Sequence, residues 1–387
     1  MKVLYVALHD PHEIDLASGS DYHYLHALEE NGFETMVIGP FEGQPVLIER
    51  MVAWIYQRTG KRYPKHTLTA AWQASRATTR VVQDWNPDVV LAIHFSPLVF
   101  YHGMAPCIFR TDTTYYGLEE TCMLYGPLAL QLAMWQEKRA FKNCAKVITH
   151  SEWSRKMLEN IYQMPKTRIE VFPEPSTLPA MIVPEKIDIL NSKKLKEPLR
   201  LLLVGRNYRR KGVDIAIEVV HKLNQSGTRA ELTVCGTQGL SDEYVRFVGP
   251  YKKSDPEELV EYANLFQQAH LLIHPALFEP AGIVPGEAAA FGTPTITNDT
   301  GGLGTTVMDG VSGIVLPKDS PADAYVKGII HLIGSPQAYY ELCQKTRTRY
   351  EQELNWQVAG KRLCEILLKV KEENGAGNEK ALLLDQR

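Results

Sequence analysis

Residues 269–303 read as strand, glycine-containing loop, helix, strand and glycine turn, and no other part of the chain constrains the fold as strongly. Ala269-His270-Leu271-Leu272-Ile273-His274-Pro275 is a mostly apolar run of strand length, as expected where a parallel sheet is covered on both faces. Glu279 and Glu287 follow, eight positions apart, a little over two helical turns. Pro280, Gly282 and Pro285 place the first acid in a loop and the second inside a helix. Backbone N–H groups from about Gly282 to Gly286 then lack intrahelical partners and form an anion site. An anion cradle with a carboxylate on each side suits a ligand carrying phosphate in the middle and hydroxyls at both ends. A nucleotide sugar has that layout; the plain alternative is a solvated loop with a Pro-capped helix. Thr295-Ile296-Thr297 and Gly301-Gly302-Leu303 complete the run.

The same alternation runs through the rest of the chain. Residues 3–8, 35–38, 89–93, 107–110, 146–149 and 169–172 read as strands. Helical periodicity lies between them, with Ile48, Met51, Val52, Ile55 and Tyr56 on one face and Leu68, Ala71, Trp72, Ser75 and Thr79 on another. A second series starts at Leu199, with a helix to about Leu223 and strands at 231–235 and 246–248. Repeated βα units imply doubly wound parallel sheets, and 387 residues are too many for one core. The expected division is an α/β domain over 1–185, a polar lysine-rich linker over 186–198, and a second α/β domain over 199–355. A last helix over 356–371 and a mobile polar tail over 372–387 complete it.

A second block agrees with the first: Leu201-Leu202-Leu203-Val204-Gly205-Arg206-Asn207-Tyr208-Arg209-Arg210-Lys211-Gly212-Val213, a buried strand ending in Gly-Arg before a loop and Lys-Gly at a helix start. Together the two blocks closely resemble the E-x7-E signature of retaining glycosyltransferases of family 4, in the GT-B superfamily. The resemblance implies two Rossmann-like domains facing a cleft, lined from the carboxyl ends of both sheets. It implies that Arg206 and Lys211, set between Gly205 and Gly212, bind a nucleotide diphosphate and stabilise the leaving phosphate. Glu287 would hold the nucleotide ribose, Glu279 the donor sugar's hydroxyls, and the N–H groups of Gly282, Ile283 and Val284 the phosphates. Gly249, in Val248-Gly249-Pro250-Tyr251, falls where the family binds the base. Gly19, in Ser18-Gly19-Ser20, matches the family's first glycine loop, although an ordinary helix cap would look the same. Asp112 stands where many members place a histidine and would orient donor or acceptor. His94 and His150 read as structural, and Arg209 and Arg210 as solvated. Phe172-Pro173-Glu174-Pro175 replaces the usual Asn-Gly loop and takes no role.

The implied reaction is transfer of a sugar from a UDP- or GDP-sugar to a glycan, lipid-linked or small-molecule acceptor by a front-face retaining route. A nucleotide-sugar 2-epimerase on the same fold and a catalytically silent nucleotide-binding partner are the alternatives. No Asp-x-Asp pair occurs, so no metal is expected, and no other cofactor. A net charge of −3 gives no general attraction to nucleic acid. Six dispersed cysteines without metal spacing read as reduced, buried thiols, and the first apolar run reads as a core strand rather than a signal peptide, which together suggest a cytoplasmic protein. One local feature departs from this even charge. From Arg50 to Arg80 there are seven basic residues and no acid, with Trp54, Tyr56, Tyr63 and Trp72 interleaved. Arg58, Lys61, Arg62 and Lys65 could form an acceptor site or a membrane-surface patch, or two helices could simply carry solvated basic faces.

Overall fold

A computed structural model of the chain describes residues 1–41, 46–63 and 67–385, without the side chains of Thr121 and of 376–385. The chain divides into two compact units, Met1–Phe172 with Gly360–Arg387, and Pro173–Ala359.

Unit 1 holds six parallel strands, β1 (Lys2–Val6), β2 (Glu34–Ile38), β3 (Val89–Ala92), β4 (Cys107–Thr111), β5 (Cys144–Thr149) and β6 (Ile169–Val171). Their spatial order is β2-β1-β3-β4-β5-β6. Six helices connect them: α1 (Ser20–Glu30), α2 (Leu47–Arg58), α3 (Leu68–Trp85), α4 (Tyr115–Cys122), α5 (Pro127–Asn143) and α6 (Glu152–Asn160). Local chemistry sets several starts. Thr67 accepts from Ala70 N–H ahead of α3, and Ser151 from Ser154 N–H ahead of α6.

Unit 2 repeats the design with β7 (Leu199–Val204), β8 (Ala230–Cys235), β9 (Val245–Val248), β10 (Leu271–His274), β11 (Thr295–Asn298) and β12 (Gly313–Leu316), in the order β12-β11-β10-β7-β8-β9. Its helices are α7 (Ile189–Ser192), α8 (Val213–Gln225), α9 (Pro256–Gln268), α10 (Ile283–Ala290), α11 (Leu303–Thr306), α12 (Ala322–Ile333) and α13 (Pro336–Gln352). Leu201 and Leu203 of β7 pack on one side of the sheet with α8 and α12, while Leu202 and Val204 pack on the other with α9 and α10. The period-2 alternation is buried on both faces, so the strand reads as a continuous apolar run. In each sheet successive strands are added first to one side and then to the other. The reversal falls between β1 and β3 in unit 1 and between β7 and β10 in unit 2. Loops at the carboxyl ends of the two flanking strands diverge there and leave a crevice for ligand.

Two expected boundaries shift. The stretch 186–198 is not a free linker: it forms α7 and buries Lys193, whose ammonium donates to the carbonyls of Phe266, Gln267 and Ala269 and to Thr293 Oγ1 at 2.6–3.0 Å. A lysine so placed satisfies the open carbonyls at the end of α9, which its polarity alone could not reveal. The division falls instead at Phe172/Pro173. The last helix, α14 (Trp356–Asp385), continues through most of the segment expected to be a mobile tail, and from Gly360 onward it belongs to unit 1.

One buried acid fixes the start of α4. Both oxygens of Glu137 on α5 accept from Tyr115 N–H, at 3.0 and 3.2 Å, and the Tyr162 hydroxyl donates to Oε2. Burial raises its carboxyl from 4.5 to about 8, against the pull of those donors. Between those values the folded chain keeps a proton that the unfolded chain releases, so this contribution is complete below 4.5 and is lost as pH rises through about 8. Glu137→Gln should therefore flatten the fall in melting temperature between pH 5 and 8; parallel melting curves for the two proteins would show the acid to be ionised throughout.

Candidate active site

The switch point of unit 2 brings the two predicted motifs together. Gly205 follows β7, and Lys211 folds back over it: a Cβ on Gly205 would collide with the Lys211 side chain. Gly212, at φ +68, lets the chain pass hard against the Pro275 carbonyl before α8 begins. These two glycines bury Lys211 and aim its ammonium at Glu279 Oε2, with which it forms a short ion pair. Arg210 Nη1 donates to the same oxygen at 3.1 Å and to the Phe278 carbonyl at 3.0 Å. From the other side of the loop, Gly302 N–H holds the Glu279 carbonyl at 2.8 Å. Burial alone would raise the Glu279 carboxyl, but Lys211 first and Arg210 after it hold it well below the usual carboxylate range. It is an ionised acid clamped between two cations.

His274, the last residue of β10, is fully buried with both ring nitrogens lacking a hydrogen bond. Its Nε2 lies 3.7 Å from Glu279 Oε2. Burial, with Lys211 nearby, lowers its pKa to about 4, so at neutral pH it adds no third charge. Beside this cluster Gly282, at φ +83, caps α10 in the left-handed conformation. The first-turn N–H groups of Ile283 and Val284 have no carbonyl four residues back to pair with, and Pro285 has no N–H.

Glu287, one turn further along α10, is closed off. Its Oε1 accepts from Thr177 Oγ1 at 3.0 Å and Lys253 Nζ at 2.6 Å, and its Oε2 from the Tyr262 hydroxyl at 2.6 Å. Burial and the Glu287 charge push the Tyr262 phenol well above its ordinary value, keeping it a donor. Arg206 is exposed, and among the described residues it makes no hydrogen bond or ion pair. Gly249, at φ +71 and ahead of a cis bond to Pro250, follows β9.

In unit 1 the start of α1, the end of β4 and His150 after β5 meet in a polar cluster. Ala17, Ser18 and Gly19 are all left-handed, at φ +46, +59 and +89, so the turn is more contorted than a simple helix cap. It delivers Asp21, only 2% exposed, to Arg110 Nη1 at 3.2 Å. Arg110 also donates to Ser20 Oγ and, at 2.8 Å, to His150 Nε2. His150 Nδ1 lies 2.7 Å from the Phe172 carbonyl, which makes Nδ1 the protonated nitrogen. That fixed tautomer fits the structural reading of His150. His94 Nδ1 accepts from Ser96 N–H at 3.1 Å, also a local role. Asp112 is exposed and stands outside this network.

The structure thus joins Lys211 to Glu279 and sets Gly282, Ile283 and Val284 at a helix start in the same unit. Arg210, expected to be solvated, belongs to the site, because the loop turns it toward the Phe278 carbonyl while Arg206 points to solvent. In the basic segment of unit 1 the described cations of the expected patch have local partners. Arg58 stacks 3.7 Å over the Trp54 ring, Lys61 Nζ donates to the Met123 carbonyl at 2.8 Å, and Arg62 is pinned by its backbone N–H to the Leu124 carbonyl. Lys65 lies outside the described residues. Sequence reasoning did not find Thr177, Lys253 or Tyr262, which reach Glu287 from three separate segments. His274 carried one usable signal, its place at the end of a strand beside the loop.

Two family profiles match the chain in order: Glycosyltransferase Family 4 over residues 22–175 and Glycosyl transferases group 1 over residues 185–352. The chain is a two-domain GT-B protein of the family 4 glycosyltransferase type. It is 30% identical to the glycogen synthase of Mycobacterium tuberculosis over 188 residues, 45% of this chain and 43% of that protein. The chain therefore spans less than half the length of that curated relative. Among solved structures, sucrose-phosphate synthase from Thermosynechococcus elongatus superposes with a TM-score of 0.71 at 17% identity, covering 96% of this chain and 99% of the other. Anabaena HepE in complex with UDP and glucose gives 0.60 at 15% identity, covering 95% and 99%. At these identities the structural likenesses speak for the fold alone.

Proposed function

We propose that the chain is a glycosyltransferase that moves a sugar from a nucleotide-sugar donor to a glycan, lipid-linked or small-molecule acceptor with retention at the anomeric carbon. The observation that carries this reading is the Lys211–Glu279 pair at the switch point of unit 2, beside the start of α10. A diphosphate set against the α10 N–H groups would find Lys211 and the uncommitted Arg206 as its counter-charges. Two solved relatives of the fold carry UDP with glucose and ADP with acarbose, which supports a nucleoside diphosphate as the ligand class.

In the proposed step the bond from the anomeric carbon to the diphosphate oxygen breaks, and the acceptor oxygen bonds to that carbon on the same face. The departing phosphate oxygen takes the acceptor's proton. No side chain has to form a covalent intermediate. The protein's part is positioning and stabilisation of the leaving charge by cations and backbone dipoles. Lys211 and Arg206 can supply that charge, so the reading calls for no metal. Glu279 would both anchor Lys211 and accept from the sugar's hydroxyls. For Glu287 to take the ribose diol, Lys253 must give up part of its hold on Oε1; Oε2 keeps acceptor capacity beyond Tyr262.

A panel of UDP-, GDP- and ADP-sugars tested by thermal shift should yield one donor that stabilises the chain in proportion to RT ln(1 + [L]/Kd). That donor should release its sugar slowly in water or pass it to an acceptor with anomeric configuration kept. Stabilisation without any release would mark a silent nucleotide binder, and an inverted product would overturn the retaining route. Glu287→Ala should weaken calorimetric binding of the matching free nucleoside diphosphate by about tenfold; unchanged affinity would remove the ribose assignment.

A further inference from the structure

Helix α2 carries its apolar residues on the outside. The side turned toward unit 1 is Glu49, Val52, Ala53 and Tyr56, spaced i, i+3, i+4, i+7. The opposite side presents Leu47, Ile48, Met51, Trp54 and Ile55, each between 52% and 75% exposed. The periodicity that reads as a core face in the sequence is therefore split, with Ile48, Met51 and Ile55 facing solvent. Glu49, the single acid of α2, is turned inward: its Oε2 accepts from Val46 N–H at 3.0 Å and its Oε1 from Thr69 N–H at 3.1 Å. No carboxylate is left on the outer surface of α2, and none occurs from residue 50 to residue 80. Arg50 flanks the stripe, and Arg58 closes its end, stacked on Trp54. The pairing recurs on α3, where Arg76 lies 5.3 Å over the ring of the half-exposed Trp72.

A solvated basic face would carry polar residues between its cations, and this one carries leucine, isoleucine, methionine and tryptophan. A sugar acceptor has no use for so aliphatic a stripe. Exposed aliphatic side chains, a tryptophan at the margin and arginines free of acidic neighbours suit one environment together, the boundary between lipid headgroups and acyl chains. We infer that α2 is an in-plane interfacial helix that docks this chain on an anionic bilayer surface. Leu47, Met51, Trp54 and Ile55 enter the acyl boundary, and Arg50 and Arg58 meet lipid phosphates. Among the described residues no helix is long and apolar enough to cross a membrane, so the association is peripheral. It stands independently of the transfer reaction.

The test is flotation of the full chain with phosphatidylcholine vesicles, with and without phosphatidylglycerol. Only the anionic vesicles should carry the protein. Replacing Met51, Trp54 and Ile55 together by serine should lower the partition coefficient at least about tenfold at any salt. Arg50→Glu with Arg58→Glu should lower it by a similar factor at low salt and by less at high salt, where screening has already weakened the charge contribution. Both variants alter exposed positions and should melt like the unmodified chain; brominated acyl chains should quench a fluorescence component that Trp54→Phe removes. No flotation at low salt, equal flotation on both vesicle types, or full binding by the serine variant would each overturn the inference. A dimer in sedimentation that the serine variant dissolves, without vesicle binding, would make a second copy the occupant.

Discussion

Lys211→Ala should lower sugar transfer at least about 10²-fold at saturating donor. The ammonium is the buried cation of the pair, and the absent Cβ of Gly205 leaves room for its stem. Charge growing on a leaving phosphate is worth most to a counter-ion held in a site from which water is excluded. The variant also leaves Glu279 with Arg210 and the neutral His274 alone. Losing one partner of a buried ion pair costs up to about 3–5 kcal/mol, and the remaining Arg210 contact should keep the loss below that range. A melting curve and single-turnover transfer, measured on the same preparation, separate the two effects. Turnover within threefold of the unmodified chain would remove Lys211 from the chemical step.

Glu279→Gln should cost about 10–10²-fold in transfer while leaving affinity for the free nucleoside diphosphate unchanged or improved. The amide keeps the shape of the carboxylate and loses its charge, so Lys211 and Arg210 no longer share a fixed anion. Both cations then turn more readily to a diphosphate, but without the orientation that favours the leaving oxygen. The opposite pattern, weakened nucleotide binding with normal turnover, would assign Glu279 to the nucleotide and Glu287 to the sugar. Calorimetry with the nucleoside diphosphate and kinetics with the intact donor decide between them.

The sequence alone determined the βα alternation and eleven of the twelve strands, all but β12, because parallel strands covered on both faces read as short, bounded apolar runs. That Gly205–Lys211 and Glu279–Glu287 belong to one site was implied by the family resemblance, and the sheet order sets both after strands that flank its reversal. Three things came only from the tertiary structure. That Arg210 reaches the Glu279 loop depended on the turn that sends it to the Phe278 carbonyl, while Arg206 stays exposed. The environment of Glu287 is made by Thr177, Lys253 and Tyr262, up to 110 positions away, and no spacing in the chain encodes that meeting. The facing of α2 was undetermined for a related reason. Periodicity shows that a helix has an apolar stripe but not which surface it meets, and here the inner side carries Glu49, bonded to Thr69 N–H of the next helix, while the stripe faces outward.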